Sequence, residues 1–194
     1  MNKMINIIPI LGALLLFACE DNKEEDNSVS FEEVTTTNVN DGPFYYNFVE
    51  KKQNETSYHL VYKNVDAGGG FSMPSFSISN TVMLSIISGS DFESVQVPPA
   101  PSQFQPENGR IQYGGSNAAL VYNIDVHKVS VSSDIYIMYD TILHRVFKIV
   151  FDDYSGGVVI FRFSELSTNK ISGFITTIIR IIISKRKGIS FIFI

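Results

Sequence analysis

The stretch Arg145–Glu165, RVFKIVFDDYSGGVVIFRFSE, indicates the fold class of this chain. Two runs rich in Val, Ile and Phe flank a cluster of Asp, Ser and Gly. Branched and aromatic side chains favour strands, whereas Gly, Asp and Ser favour turns. We therefore expect strands over 145–152 and 158–165, joined by a turn over 152–157 into an antiparallel hairpin.

Period-two alternation predicts further strands along the chain. They cover 44–49, 57–63, 81–87, 119–126 and 135–140. The chain has 15 Phe and 9 Tyr but no Trp, and helical spacing of its apolar residues is hard to find. These features predict an all-β fold, either an antiparallel β-sandwich or a partly open barrel.

Three stretches within this region do not have a strand pattern. The glycine run in Asp66–Gly70 predicts a flexible loop, and Ser90–Val95 predicts one helical turn. The proline-rich segment Val97–Pro106 is expected to run extended at an edge or on the surface, since proline lacks the N–H that a central strand needs.

The N-terminal residues resemble a bacterial lipoprotein signal. The apolar stretch Met4–Phe17 is too short to span a membrane but suits residues 1–18 as a signal peptide. Leu16–Cys19 resembles a lipobox, which implies that Cys19 becomes a diacylated first residue carrying fatty acids such as palmitate. Such an anchor would hold the chain on a bilayer. A plain secretory signal with an unmodified cysteine is the alternative.

Charge divides the chain into regions of opposite sign. From Glu20 to Glu165, nine Lys and Arg face twenty Asp and Glu, which gives −11 and argues against a nucleic-acid partner. The acidic residues of 19–30 predict a solvated tether behind the cysteine. They also resemble the surface-export signal of some Gram-negative lipoproteins. The other interpretation is a spacer that carries no export signal.

The last 28 residues differ in composition from the rest. Residues 167–194 hold ten Ile and five Lys or Arg but no Asp or Glu. A basic segment on a membrane surface is one interpretation, and sequence read past or out of the true frame is the one we favour. We therefore expect one domain over 31–166, with no strand partners provided for the tail.

The chain offers little catalytic chemistry. His59, His127 and His144 are its only histidines, and none belongs to a metalloprotease, zinc-ribbon or nucleophile-elbow motif. We expect His59 to be a hydrogen-bonded core or interface residue, and the other two to lie at strand ends in solvent. The sequence therefore predicts a binding protein rather than an enzyme.

Several segments, taken in order, resemble the HmuY-type lipoproteins, which are haem-binding proteins of all-β fold. Tyr58–Leu60 matches the family's strand with an aromatic–His pair, and Asp91–Val95 matches its DF-x-x-V turn before prolines. Ile135–Met138 and Val146–Phe151 match its closing hairpin. The resemblance covers about 44–163. It implies haem acquisition by a protein that is lipid-anchored in the outer membrane, at the cell surface of a Gram-negative bacterium.

The resemblance also implies axial ligands to the haem iron. Met83 is the first candidate by its place before the DF turn, and Met73, Tyr113 and His127 are the others. Two departures stand out: 140–144 lacks the family's turn glycine, and 109–115 holds neither His nor Met.

The implied partners are haem or another small ligand, the bilayer through Cys19, and an outer-membrane haem transporter. The alternative is the same scaffold without haem, acting as an adhesin or as a binder of another ligand.

Overall fold

The computed structural model of the protein describes residues 30–167. The predictions for the signal peptide, for Cys19, for most of the tether and for the tail from residue 168 onward lie outside this range. Among the described residues, no helix is long and apolar enough to cross a membrane.

Over residues 30–167, twelve strands form three antiparallel sheets. A six-stranded sheet has the order β1-β12-β11-β10-β6-β7, a four-stranded sheet has the order β3-β2-β4-β5, and β8 pairs with β9. The strands are β1 (Glu32–Thr35), β2 (Phe44–Asn47), β3 (Lys52–Gln53), β4 (Leu60–Gly68), β5 (Phe71–Ile78), β6 (Val82–Ile87), β7 (Gln105–Pro106), β8 (Leu120–Asn123), β9 (Lys128–Val131), β10 (Ile135–Asp140), β11 (Arg145–Ser155) and β12 (Val158–Leu166).

The core between the two larger sheets is aromatic. Tyr46 of β2 packs edge-on against Phe161 and Phe163 of β12, with ring centroids 5.7 Å apart in both pairs. The ring centroids of Phe76 in β5 and Phe151 in β11 lie 4.5 Å apart. These rings occupy alternate positions of their strands and face inward, as period-two spacing requires. The predicted all-β fold is confirmed as a sandwich, and residues 30–167 contain no closed barrel.

The six-stranded sheet is also covered on its outer face. A 3₁₀ turn at Phe92–Ser94 and another at Pro101–Gln103 carry a segment across this face. The segment then adds β7, with Pro106, at the edge of the sheet beside β6. The predicted helical turn and the proline at an edge are confirmed. The apolar residues of this outer cluster are Val95, Ile135, Ile137, Val146 and Leu166, with Ile87, Phe104 and Tyr139 beside them.

Two of the predicted turn regions are tighter than the sequence indicated. Strand β11 continues to Ser155, so only Gly156 and Gly157 turn the chain. A bulge at Asp152 accommodates the polar residues, and the carboxylate of Asp152 accepts two hydrogen bonds, of 2.9 and 2.8 Å, from Arg162 of β12. The predicted loop over 66–70 is likewise the end of the β4–β5 hairpin, whose strands extend to Gly68 and from Phe71.

Candidate functional site

The structure places the four predicted haem ligands in four different elements. Met83 lies in β6 opposite Tyr139 of β10, whereas Met73 lies in β5 of the other sheet. Tyr113 belongs to the loop between β7 and β8, and His127 to the turn between β8 and β9. His127 is exposed, while the other three are partly buried.

One cleft brings Tyr113 close to the β8–β9 hairpin. Its volume is about 330 Å³, and Tyr113 and Tyr122 both line it, together with Leu120 and Asp134. The backbone N–H of Tyr113 donates to the hydroxyl of Ser75 in β5 at 2.9 Å, which fixes the loop against that strand. The volume lies at the lower end of the range for small-molecule sites.

A tyrosine–histidine pair joins this cleft to His127. The Tyr122 hydroxyl lies 2.7 Å from Nδ1 of His127, within hydrogen-bond reach. The same arrangement recurs in the turn between β10 and β11, where the Tyr139 hydroxyl lies 2.6 Å from Nδ1 of His144. Of these two pairs, only the first has its tyrosine on the 330 Å³ cleft.

Both turns are built in the same way. Oδ1 of Asn123 accepts the N–H of Asp125 at 2.9 Å, and Oδ1 of Asp140 accepts the N–H of Ile142 at 2.8 Å. These are the local bonds by which Asn and Asp favour turns. His127 and His144 then adopt φ of 50° and 56°, a left-handed conformation that lets each turn close without glycine.

A second cleft, of about 540 Å³, has a buried charge at its wall. Asp140 and His59, which are 4% and 7% exposed, line it, and their Oδ2 and Nε2 atoms lie 3.2 Å apart. Nδ1 of His59 accepts the backbone N–H of Phe48 at 3.2 Å. The proton of the neutral ring is therefore assigned to Nε2, which donates it to Asp140.

The hydrogen bonds around Asp140 keep its carboxylate ionised. Burial raises the pKa of Asp140, but the N–H groups of Ile142 and Leu143 and the bond from His59 outweigh burial, so the pKa lies below its ordinary value. Both ring nitrogens of His59 are bonded, so the ring has no free nitrogen with which to accept a proton from a third group.

No metal centre is formed by the part of the chain that the structure describes, since none of its His, Asp and Glu side chains gather in groups of three or more that could hold an ion. The prediction for His59 is confirmed, because the ring is buried and hydrogen-bonded. His127 and His144 are exposed, as expected.

The chain matches no protein-family model, no curated protein and no solved structure.

Sequence reasoning missed three residues of these sites: Tyr122, Tyr139 and Asp140. A signal for them is present in the sequence, because YNIDVHK at 122–128 and YDTILHR at 139–145 follow the same pattern. Each begins with tyrosine followed by Asn or Asp, and each ends, after three further residues, with histidine and a Lys or Arg. This repeat could have identified two matching turns. No local pattern predicts the pairing of Asp140 with His59, which lies 81 residues away.

Proposed function

We propose that this chain is a lipid-anchored haem-binding protein that takes up haem at the cleft between Tyr113 and Tyr122. Cys19 would hold it on the outer membrane, and an outer-membrane transporter would receive the haem. The observation that carries the proposal is the bond between Tyr122, on the cleft, and His127. Tyr122 shares the cleft with Tyr113, a predicted ligand, and is hydrogen-bonded to His127, another predicted ligand, which lies beside the cleft lining.

The Tyr122–His127 pair suits ferric iron. A phenolate oxygen is an established axial ligand of haem iron. In the proposed complex the Tyr122 oxygen would bind the iron while its proton passes to Nδ1 of His127, so charge and protons balance.

The two predicted methionine ligands both lie outside the cleft. Met73 and Ser75 point to the same side of β5 because they are two residues apart, and Ser75 is bonded to the Tyr113 loop. Met73 itself does not line the cleft, however, so the proposal assigns it no bond to iron. Met83 does not line the cleft, so the proposal assigns it no bond to iron.

A titration with haemin, followed at the Soret band, tests this function. The unchanged protein is expected to shift the band, and Tyr122→Phe to weaken binding by about tenfold or more, as the loss of an axial ligand's oxygen implies. Tyr139→Phe is the matched control, because it removes the same hydroxyl from the sister turn, and it is expected to bind haemin normally.

The opposite outcomes are equally clear. A folded protein that leaves the Soret band unchanged would contradict haem binding, and equal weakening by both substitutions would contradict the assignment to this cleft. If a folded chain that does not bind haemin binds a glycan or a protein, the alternative function is supported. The chain would then be a lipoprotein of the same scaffold that acts as an adhesin or binds a ligand other than haem.

A further inference from the structure

The 540 Å³ cleft beside β10 carries a negative charge that its turn does not require. In the β8–β9 turn an uncharged Asn123 supplies the oxygen that caps the backbone, whereas Asp140 supplies it in the β10–β11 turn. An amide therefore suffices for turn geometry. The additional charge of Asp140 lies on the wall of the cleft, and its partner His59 is neutral.

No cation of the protein lines this cleft within the described part of the chain. Its only charged lining residues are Asp140 and Glu50, and Glu50 is already paired with Lys52 at 3.3 Å. A buried carboxylate is normally paired with a cation, because removing a charge from water is costly. The carboxylate of Asp140 has hydrogen bonds but no cationic partner among the cleft residues.

The remaining walls combine hydroxyl groups with apolar surface. Ser57, Ser79 and Thr81 provide hydroxyls. Ile142 and Leu143, which are 65% and 53% exposed, form an apolar lip at the turn. This combination matches a charged head with an aliphatic stem, and it does not match an anion, which Asp140 would repel.

We propose that this cleft binds a primary alkylammonium group, with the nitrogen directed at Asp140 and the stem against Ile142 and Leu143. The free base of such an amine would have no charge to offer, so recognition is of the protonated form. The overall −11 between Glu20 and Glu165 favours the approach of cations. The inference does not depend on haem binding, because the two clefts share no lining residue.

Titration of the purified protein with n-butylammonium, followed by amide NMR shifts, tests the proposal. We expect shifts at Ser57, Ile142 and Leu143, and binding at least about tenfold tighter than that of n-butanol, which has the same stem without the charge. Acetate is expected to leave these amides unmoved. Equal binding of butanol, or ammonium-induced shifts confined to other regions, would overturn the proposal.

Asp140→Asn provides the second arm. It retains the oxygen that caps the turn, as Asn123 shows, but gives up the acceptor for Nε2 of His59. It is expected to weaken n-butylammonium binding by about tenfold while leaving n-butanol binding unaffected. Undiminished ammonium binding by this variant would overturn the role of Asp140. If the variant does not fold, the comparison of ammonium with alcohol on the unchanged protein decides the question alone.

Discussion

At the scale of single residues, Lys148 is the least expected part of the core. Its side chain projects from β11 to the outer face of the six-stranded sheet and is only 1% exposed. Nζ donates to the carbonyl oxygens of Phe92 and Val95 at 2.6 and 2.8 Å, and it lies 4.2 Å from the Phe92 ring centroid. Burial lowers the pKa of Lys148, although nearby Glu93 partly opposes the effect. The ammonium of Lys148 thus links the 3₁₀ turn at Phe92–Ser94 to strand β11 through hydrogen bonds.

Replacing this lysine tests how much this link contributes. Lys148→Met keeps most of the side-chain volume but leaves the Val95 carbonyl without its Lys148 donor and the Phe92 carbonyl with only the Val95 N–H, at 3.4 Å. We therefore expect the free energy of unfolding to fall by about 2 kcal/mol. Urea denaturation measures the change. Lys63→Met is the matched control, because Lys63 is an exposed lysine in β4, and it is expected to have little effect. Equal stability of both variants would contradict the proposed role of Lys148.

At the scale of elements, the hairpin of β11 and β12 shows how a turn is fixed by its surroundings. The Gly157 carbonyl accepts bonds from the Tyr62 hydroxyl at 3.1 Å and from the Val39 N–H at 2.9 Å. Gly157 adopts φ of 93°, and a Cβ added there would lie 2.4 Å from Oδ1 of Asn38. Gly156 also has a positive φ, of 58°, but a Cβ there would meet nothing within 4 Å.

The two glycines therefore form a matched pair for substitution. Gly156→Ala is expected to cost about 1 kcal/mol, because only the left-handed backbone opposes it. Gly157→Ala is expected to cost about 2 kcal/mol more, since Asn38 must also move. Thermal or urea unfolding of both variants measures the difference. Equal losses would show that the close approach to Asn38 imposes no additional cost.

At the scale of the whole molecule, alternation along the chain predicted the interior well. Tyr46, Tyr62 and Leu84 all face the core. In a strand with one buried face, every second side chain points inward, so apolar residues recur every two positions. The outer cover of the six-stranded sheet was not predictable, since the segment around Phe92 follows no period and its lysine partner lies 56 residues further on. The site residues depend on similar long-range contacts, which explains why Asp140 escaped prediction.

The buried tyrosines give the molecule a predictable weakness at high pH. Burial raises the pKa of Tyr46 and Tyr62, and it raises the pKa of Tyr136 to about 12. In the unfolded chain these groups ionise near their ordinary pKa of about 10. Above that pH the unfolded state binds fewer protons than the native state, so the free energy of unfolding must fall as pH rises. The lowered pKa of Lys148 has the opposite effect, because the unfolded state binds more protons at this lysine than the native state does. It makes the free energy of unfolding rise with pH, but only up to the ordinary lysine pKa of about 10.5.

Urea unfolding from about pH 8 to about pH 11 checks this expectation. Stability due to the three tyrosines is fully present below about pH 10 and should decline above it, by up to about 1.4 kcal/mol per pH unit for each tyrosine. Tyr136→Phe also removes a hydrogen bond to the Asn117 carbonyl, so it is expected to be less stable than the unchanged protein below about pH 10. Its decline above pH 10 should nevertheless be about one third shallower, because one of three titrating groups is gone. An unchanged slope in Tyr136→Phe would mean that ionisation of this buried phenol does not drive the alkaline transition.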